Sequence, residues 1–221
     1  MKILKTPAVL AIDQGTTGTT CLVVGQNGEI MSRAYSEFTQ YFPRPGWVEH
    51  DPIEIWTTTQ KMAQSAIKDA SNAEIQGVGI TNQRETVVFW SKETLEPLHR
   101  AIVWQDRRTI DICSELKGKG YESKVKSKTG LVLDPYFSAT KIMWLFRERP
   151  DLRILAEAGE LAIGTIDSWL ISRLTGGAAH VTDPTNASRT LLYNLEEGIW
   201  DPWLLEIMEI PETALPEIRP S

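Results

Sequence analysis

The sequence has few cysteines and histidines, and this scarcity limits the chemistry that it can carry. Of its 221 residues, two are cysteine and three are histidine. Cys21 and Cys113 lie in separate apolar stretches, so a disulfide framework is not expected, and reduced thiols fit a cytoplasmic protein. No second histidine or cysteine stands near His50 at a spacing typical of metal ligands, which favours a structural role for that histidine.

Long apolar runs and an excess of positive charge are also missing. No apolar segment approaches the roughly 20 residues that a membrane span needs, and the first residues lack the apolar core of a signal peptide. Lysine and arginine number 23 against 29 aspartates and glutamates, a formal net charge of −6. Because contacts with a phosphate backbone need a basic surface, nucleic acid is not an expected partner, and the lack of a long apolar run argues against membrane insertion.

Several common catalytic motifs are absent as well. The sequence contains no Gly-x-Ser-x-Gly elbow, no His-Glu-x-x-His and no Gly-Lys-Ser/Thr ending of a Walker loop. Gly77-Val78-Gly79 lacks the third glycine of a dinucleotide-binding loop and indicates close backbone packing inside a strand.

What is present predicts an α/β fold with a mixed sheet. Residues 8–12 form a continuous apolar run typical of a buried strand, and two further strands follow at 21–24 and 29–38. The turn between them contains Asn27-Gly28, which readily takes positive φ at both central positions. Asp51-Pro52 is typical of a helix start.

Later elements are predicted from apolar spacing and turn residues. Strands are expected near 75–81, 86–90 and 101–104, and helices near 110–116, 138–146 (with Ser138 as the cap), 166–174 and 202–208. The lysine-rich segment 117–128 is interpreted as a solvated loop, with an anion-binding surface as the weaker alternative.

The first candidate site is the segment Asp13-Gln14-Gly15-Thr16-Thr17-Gly18-Thr19-Thr20, between the first two strands. Its glycines allow tight turning that can direct several N–H groups at one anion, and its hydroxyls add donors. Asp13 could hold a hydrated Mg²⁺, which prefers one or two carboxylates with phosphate oxygens. A plain polar turn is the alternative interpretation, and the residues alone do not decide between the two.

The second candidate site combines three polar or aromatic segments. Adjacent Arg84 and Glu85 supply donors and acceptors that suit a polyol, whose hydroxyls both give and accept hydrogen bonds. The ring of Trp104 could cover the carbon side of such a molecule, and Tyr136 follows a turn. Composition by itself favours an exposed strand connection for residues 79–86 and ordinary core packing for Trp104.

Taken together, these segments resemble the FGGY family of carbohydrate kinases, and within it the kinases of glycerol. The resemblance covers nearly the whole chain. It rests on residues 12–17, which are similar to the first phosphate loop of the actin, hexokinase and heat-shock ATPase superfamily, and on five further blocks at 45–52, 79–86, 101–108, 134–138 and 181–190.

The resemblance implies a ribonuclease-H-like domain, a mixed sheet flanked by helices, that spans residues 1–221 as the N-terminal domain of the family. It implies transfer of a phosphoryl group from ATP to glycerol, giving sn-glycerol 3-phosphate, with Mg²⁺ as a cofactor. The residues that match substrate-binding positions are Arg84, Glu85, Trp104 and Tyr136. Thr16, Thr17 and Gly18 match the nucleotide phosphate loop, and Asp13 matches the magnesium-binding aspartate.

Two departures from the family pattern accompany the resemblance. Thr20 stands where an arginine of the phosphate loop is usual. Family members are about twice as long, and their general-base aspartate and adenine-binding domain are expected beyond residue 221, so the chain alone is expected to be inactive and no catalytic residue is assigned within it. A kinase of another short polyol and a non-catalytic ATP-binding module of the actin and heat-shock type remain alternatives, and a homo-oligomer is left open.

Overall fold

The structure is a computed structural model that describes residues 5–221. The strands are β1 (Thr6–Gln14), β2 (Gly18–Gly25), β3 (Ile30–Glu37), β4 (Glu49–His50), β5 (Ala73–Asn82), β6 (Val87–Ser91), β7 (Ala101–Ile102), β8 (Leu161–Thr165), β9 (Val181–Thr182), β10 (Tyr193–Asn194), β11 (Ile199–Trp200) and β12 (Glu217–Ile218). The helices are α1 (Pro52–Asp69), α2 (Ile110–Gly118), α3 (Glu122–Thr129), α4 (Ser138–Glu148), α5 (Pro150–Glu157), α6 (Ile166–Leu174), α7 (Pro184–Ala187) and α8 (Pro202–Ile207), with a 3₁₀ turn at Glu212–Ala214.

The chain divides into two compact units, each with its own apolar core. The first unit holds the described residues up to Gln40 together with Asp51–Gln83. The second unit holds Tyr41–His50 and Arg84–Ser221. Each mixes strands and helices, which confirms the predicted α/β class.

The first unit is a four-stranded mixed sheet with one long helix. The strand order is β3-β2-β1-β5, in which β1 pairs antiparallel with β2 and parallel with β5. Alternate residues of β1, among them Leu10 and Ile12, belong to the same apolar core as Ala66 of α1. Val9 is 45% exposed, so β1 is buried on one face only, and the prediction of a fully buried strand was wrong in this respect.

Local signals explain where the elements of this unit begin and turn. The carboxylate of Asp51 accepts hydrogen bonds from the N–H groups of Ile53 and Glu54, which confirms the predicted start of α1. The predicted turn between β2 and β3 is present, but Gly28 has φ +83° while Asn27 does not take a positive φ. The expectation of two left-handed residues there was therefore wrong.

The second unit has a four-stranded sheet of order β4-β7-β6-β8, in which every pair is antiparallel. Two small sheets accompany it: β10 pairs antiparallel with β11, and β9 pairs parallel with β12. The core combines side chains from the sheet with the apolar faces of several helices, including Phe89, Leu145 and Ile163.

Two predictions for the second unit were wrong. The lysine-rich segment forms the end of α2 and most of α3, because Val125 and Thr129 give it a face that is buried. Ser138 is the first residue of α4 and does not cap it, since its hydroxyl donates a hydrogen bond of 2.9 Å to the carbonyl oxygen of Glu85. Helix α6 ends as predicted, before Gly176 and Gly177 with positive φ.

Both cysteines are free and buried. Burial raises the pKa of the Cys21 thiol to about 11. Within residues 5–221, no helix is both long enough and apolar enough to cross a bilayer.

Candidate functional site

The threonine-rich segment of the first unit forms a tight turn between β1 and β2. Asp13 lies opposite Thr20 in the register of the two strands, and the N–H of Gly15 donates to the carbonyl oxygen of Gly18 at 2.9 Å. Asp13 and Thr17 are exposed, and Thr16 is half-buried. The predicted phosphate-loop residues therefore occupy one turn, whose side chains include groups that a ligand can reach.

Gly18 is required by the close approach of β3. A Cβ atom at this position would lie 2.7 Å from the carbonyl oxygen of Ser36 and 2.8 Å from the ring of Tyr35. Real Cβ contacts are longer than this, so any side chain would force the backbone of β2 or β3 to move. The glycine thus has a packing reason in addition to its predicted role at a phosphate.

Three glutamine side chains hold the carbonyl groups of the turn. The amide of Gln14 donates to the carbonyl oxygen of Gly15 at 2.8 Å, and that of Gln83 donates to the side-chain oxygen of Gln14 at 3.1 Å. Gln40 donates to the carbonyl oxygen of Thr16 at 3.0 Å. Sequence reasoning assigned no role to these residues, although Gln14 and Gln83 lie inside the two segments that it singled out.

The N–H and hydroxyl groups of Thr17 donate no hydrogen bond within residues 5–221. Its carbonyl oxygen accepts one from the N–H of Phe38 at 3.4 Å. The hydroxyl of Thr19 is fully buried and has no hydrogen-bond partner among residues 5–221. No group of three His, Cys, Asp or Glu side chains suited to a metal ion occurs in that range. A single exposed carboxylate beside hydroxyl and N–H donors fits Mg²⁺ that arrives with a phosphate ligand, because such an ion needs only one or two protein carboxylates.

The predicted polyol-binding residues all belong to the second unit. Glu85 is 2% exposed, and its Oε1 atom accepts a hydrogen bond of 2.8 Å from Nε of Arg189. Arg84 is exposed, and its guanidinium contacts no hydrogen-bond, ion-pair or ring partner in the described chain. Adjacent residues thus present a buried, paired carboxylate and an unpaired cation.

Trp104 and Tyr136 form an aromatic pair. Their ring centroids are 5.3 Å apart at an angle of 54°, and both side chains are half-buried. The backbone N–H of Trp104 donates to the hydroxyl of Thr86 at 3.2 Å, which links the aromatic pair to the segment that carries Glu85. An apolar face next to polar groups suits a small molecule that has both carbon atoms and hydroxyls.

Tyr136 is held by the turn that precedes α4. The carboxylate of Asp134 accepts a hydrogen bond of 2.8 Å from the N–H of Tyr136 and forms an ion pair of 2.9 Å with Arg107. The fully buried Lys141 donates from Nζ to the carbonyl oxygens of Pro135, Tyr136 and Phe137. Burial lowers the pKa of Lys141 to about 7. Nearby acidic groups raise this pKa in part, and Asp106 has the largest effect among them.

A buried ion network supports the strand that leads to Trp104. The side chain of Arg108 is fully buried, pairs with Asp106 and Glu49 at 2.8 Å, and lies against the ring of Trp47 at 3.8 Å. The Asp106 carboxylate also accepts a hydrogen bond of 2.7 Å from the N–H of Val48. These contacts fix the turn after β7.

His50 is fully buried, and burial lowers its pKa to about 4. It is neutral at ordinary pH. This state agrees with the structural role that the sequence predicts for His50.

The structure therefore places Asp13, Thr16, Thr17 and Gly18 on one turn of the first unit. It places Arg84, Glu85, Trp104 and Tyr136 in the second unit, where the last three are joined by direct or single-residue links. Sequence reasoning missed Arg189 and Lys141. Arg189 lies in the block at 181–190, but its partner Glu85 is 104 residues away, so only the block itself drew attention to it.

The chain is similar to known carbohydrate kinases over nearly its whole length. The FGGY family of carbohydrate kinases, N-terminal domain, matches residues 8–221. A glycerol kinase of Alcanivorax borkumensis is 54% identical over 217 residues, which are 97% of this chain and 44% of the relative. A glycerol kinase of Halothermothrix orenii is 56% identical over 215 residues, 96% of this chain and 43% of the relative.

Among solved structures, that of Plasmodium falciparum glycerol kinase with ADP superposes with a TM-score of 0.93 at 38% identity. The match covers 97% of this chain and 43% of that one. The chain thus spans less than half the length of the curated relatives that it matches.

Proposed function

Because the chain belongs to the FGGY family of carbohydrate kinases, we propose that it is the N-terminal, glycerol-binding and phosphate-loop domain of a glycerol kinase. The reaction would transfer the γ-phosphoryl group of ATP to a terminal hydroxyl of glycerol. In this proposal residues 1–221 correspond to one domain of the family. The adenine-binding domain corresponds to the part of the relatives that this chain does not match.

The observation that carries the proposal is that Trp104 contacts Tyr136, and that Arg189 lies close to both Tyr136 and Glu85. Glycerol has three hydroxyls on a three-carbon chain, so it needs paired donors and acceptors on one side and an apolar surface on the other. Glu85 offers an acceptor, the Tyr136 hydroxyl can both donate and accept, and the ring of Trp104 covers carbon. The exposed guanidinium of Arg84 supplies donors that no described residue uses.

The groups of the phosphate loop would bind and orient the nucleotide. Magnesium ATP supplies the phosphoryl group and the charge neutralisation that its transfer requires. Asp13 would hold the metal, and the N–H and hydroxyl groups of Thr16 and Thr17 would contact phosphate oxygens. Thr20 supplies no positive charge, so the side chains of this loop would contact phosphate through hydrogen bonds, with the metal as the source of positive charge.

We assign orientation and binding, and no proton transfer, to the residues of this chain. Glu85 is already paired with Arg189, which suits it to accept a hydrogen bond from a hydroxyl. The cytoplasm is the proposed compartment. Its support is the presence of two buried thiols that are not bonded to each other.

A glycerol titration of the 221-residue chain tests the proposal. We expect glycerol to shift the NMR signals of the Trp104 indole and the Tyr136 ring, with erythritol and ATP as comparison ligands. Arg84→Ala should weaken glycerol binding by about tenfold to a hundredfold, because hydrogen bonds to a charged group are lost. The matched control is Arg147→Ala, which removes an exposed arginine that pairs with Glu115.

The outcomes separate the alternatives. Stronger binding of erythritol would indicate a kinase of another polyol, and a response to ATP without any response to glycerol would indicate a non-catalytic ATP-binding module. In a coupled assay with ATP and glycerol, the chain alone should show little turnover, and robust turnover would contradict our assignment of its groups to binding only.

A further inference from the structure

We propose that Arg189 is a positioning residue for the polyol: it orients the Glu85 carboxylate toward a substrate hydroxyl and lies within cation–π range of the ring of Tyr136. The inference rests on the proposed function, because it concerns the same site. Neither the composition of the segment nor its spacing assigns this role, and it follows from contacts between parts of the chain that are far apart in sequence.

The buried carboxylate of Glu85 needs a compensating charge. A carboxylate with a side chain that is 3% exposed is costly to bury unless a cation or several donors compensate it. Arg189 is the cation, and its Nε atom lies 2.8 Å from Oε1. In the described chain Oε2 accepts no hydrogen bond, so one oxygen is fixed by Arg189 and the other remains for a ligand.

The guanidinium of Arg189 lies close to two aromatic side chains. Its central carbon lies 5.9 Å from the ring centroid of Tyr136 and 5.1 Å from that of Phe137. Both distances are within the range of cation–π attraction. Since Tyr136 in turn contacts Trp104, one arginine is in contact with the polar and the aromatic parts of the proposed polyol site.

The first turn of α4 binds the backbone of Glu85 and that of Thr190, the residue that follows Arg189. Ser138, the first residue of α4, donates from its hydroxyl to the carbonyl oxygen of Glu85 at 2.9 Å. The next residue, Ala139, donates from its N–H to the carbonyl oxygen of Thr190 at 2.9 Å. The two sides of the ion pair therefore have a common support, which limits how far they can move apart.

Local structure around Arg189 adds to this support. The carboxylate of Asp183 caps the short helix α7 by accepting from the N–H of Asn186 at 2.9 Å. The N–H of Arg189 then donates to the carbonyl oxygen of Asn186 at 3.0 Å. Arg189 thus follows a capped, hydrogen-bonded turn, which fixes its backbone and favours the position of its side chain beside Glu85.

A double-mutant cycle in the full 221-residue chain tests the proposal, with Arg189→Met, Glu85→Gln and the double variant titrated with glycerol by NMR. Methionine keeps the aliphatic bulk and removes the charged fork. Arg189→Met should weaken glycerol binding by about tenfold, a loss comparable to that of a charge-assisted hydrogen bond. In the Glu85→Gln background the same change should add less than threefold, because Arg189 then has no carboxylate to orient. Arg147→Met is the matched control and should leave glycerol binding unchanged.

A second measurement is made on the unmodified chain without glycerol and does not depend on the stability of Arg189→Met. The Nε–H of Arg189 should exchange with water much more slowly than the side-chain N–H groups of the exposed Arg147, since it is held by a buried acceptor. Arg189→Lys identifies the signal, and this variant should recover part of the glycerol affinity through its charge. Exchange of Arg189 as fast as that of Arg147 would show that the ion pair does not persist and would overturn the inference.

The cycle distinguishes this inference from the proposed function. If the unmodified chain responds to glycerol but the losses from Arg189→Met and Glu85→Gln are additive, Arg189 does not act through Glu85 and the positioning role is refuted while the kinase proposal stands. If the unmodified chain does not respond to glycerol at all, the proposed function fails, and the positioning role fails with it.

Discussion

Lys141 offers a quantitative test of how the turn that carries Tyr136 is held. Its ammonium is fully buried and donates to three successive carbonyl oxygens, of Pro135, Tyr136 and Phe137. Replacing it as Lys141→Met keeps the length of the side chain and leaves those carbonyls without their donor. An unsatisfied buried carbonyl costs about 1–3 kcal/mol, and at pH 9 the substitution also removes the cost of deprotonating this lysine on folding, which offsets part of the sum. We expect a net loss of about 2–4 kcal/mol at pH 9.

The pH dependence of that loss is the sharper result. Burial lowers the pKa of Lys141 in the folded protein to about 7, whereas an unfolded chain has the ordinary value of 10.5. Between these two values the unfolded state binds one more proton, so the stability of the unmodified chain rises with pH over that window. The rise is about 1.4 kcal/mol per pH unit at most, and Lys141→Met should remove it.

Urea unfolding followed by near-ultraviolet circular dichroism, at intervals from pH 6 to pH 10, measures the difference. The free energy of unfolding of the unmodified chain minus that of Lys141→Met should increase with pH above about 7. The control Lys126→Met changes an exposed lysine of α3 and should give a difference that is flat. A flat difference for Lys141→Met would refute the reasoning, because it would mean that the carbonyls and neighbouring carboxylates fully offset the effect of burial.

The remaining predictions concern the turn between β1 and β2. Gly18→Ala should lower the free energy of unfolding by about 2–4 kcal/mol, since its Cβ would lie 2.7 Å from the carbonyl oxygen of Ser36. The control Gly77→Ala, whose Cβ would meet no atom within 4 Å, should cost about 1 kcal/mol or less. Equal losses for the two variants in thermal unfolding would count against the clash. Asp13→Asn should weaken ATP binding when Mg²⁺ is present and leave ATP binding unchanged when a chelator removes the metal. The control Asp69→Asn should change neither measurement. A similar loss in both conditions would show that Asp13 does not hold the metal.

The parts of the fold that could be predicted are those with local signals. The strands β1 to β3 follow from apolar runs and a Gly-containing turn, and α1 follows from Asp51 and Pro52. Helix α3 was missed because five lysines in the segment 117–128 conceal a buried face of only two residues, Val125 and Thr129. The strands β9 to β12 contain two residues each and are defined by their partners, so no local pattern could predict them.

The candidate site divides in the same way. Glu85, Trp104 and Tyr136 could be proposed from the sequence because they lie in segments of unusual composition or in blocks that resemble a known family. Arg189 and Lys141 could not, since their roles depend on contacts made after folding: one binds a residue 104 positions away, and the other binds carbonyl groups, which every residue has. A sequence does not show which backbone carbonyl groups will accept hydrogen bonds. Supporting residues were therefore harder to predict than the residues that would touch a ligand.

The first turn of α4 has a consequence for how the proposed polyol site can fail. Ser138 and Ala139 hold the backbone beside both members of the Glu85–Arg189 pair, and Lys141, the fourth residue of the same turn, holds the carbonyl groups around Tyr136. A brief fraying of this single turn would release all of these supports together. Individual molecules in which this turn opens should therefore lose glycerol affinity completely for a short time. The rate of this loss should equal the rate at which the amide hydrogen of Ala139 becomes exchangeable. At any moment each site should be either intact or disrupted, without intermediate forms.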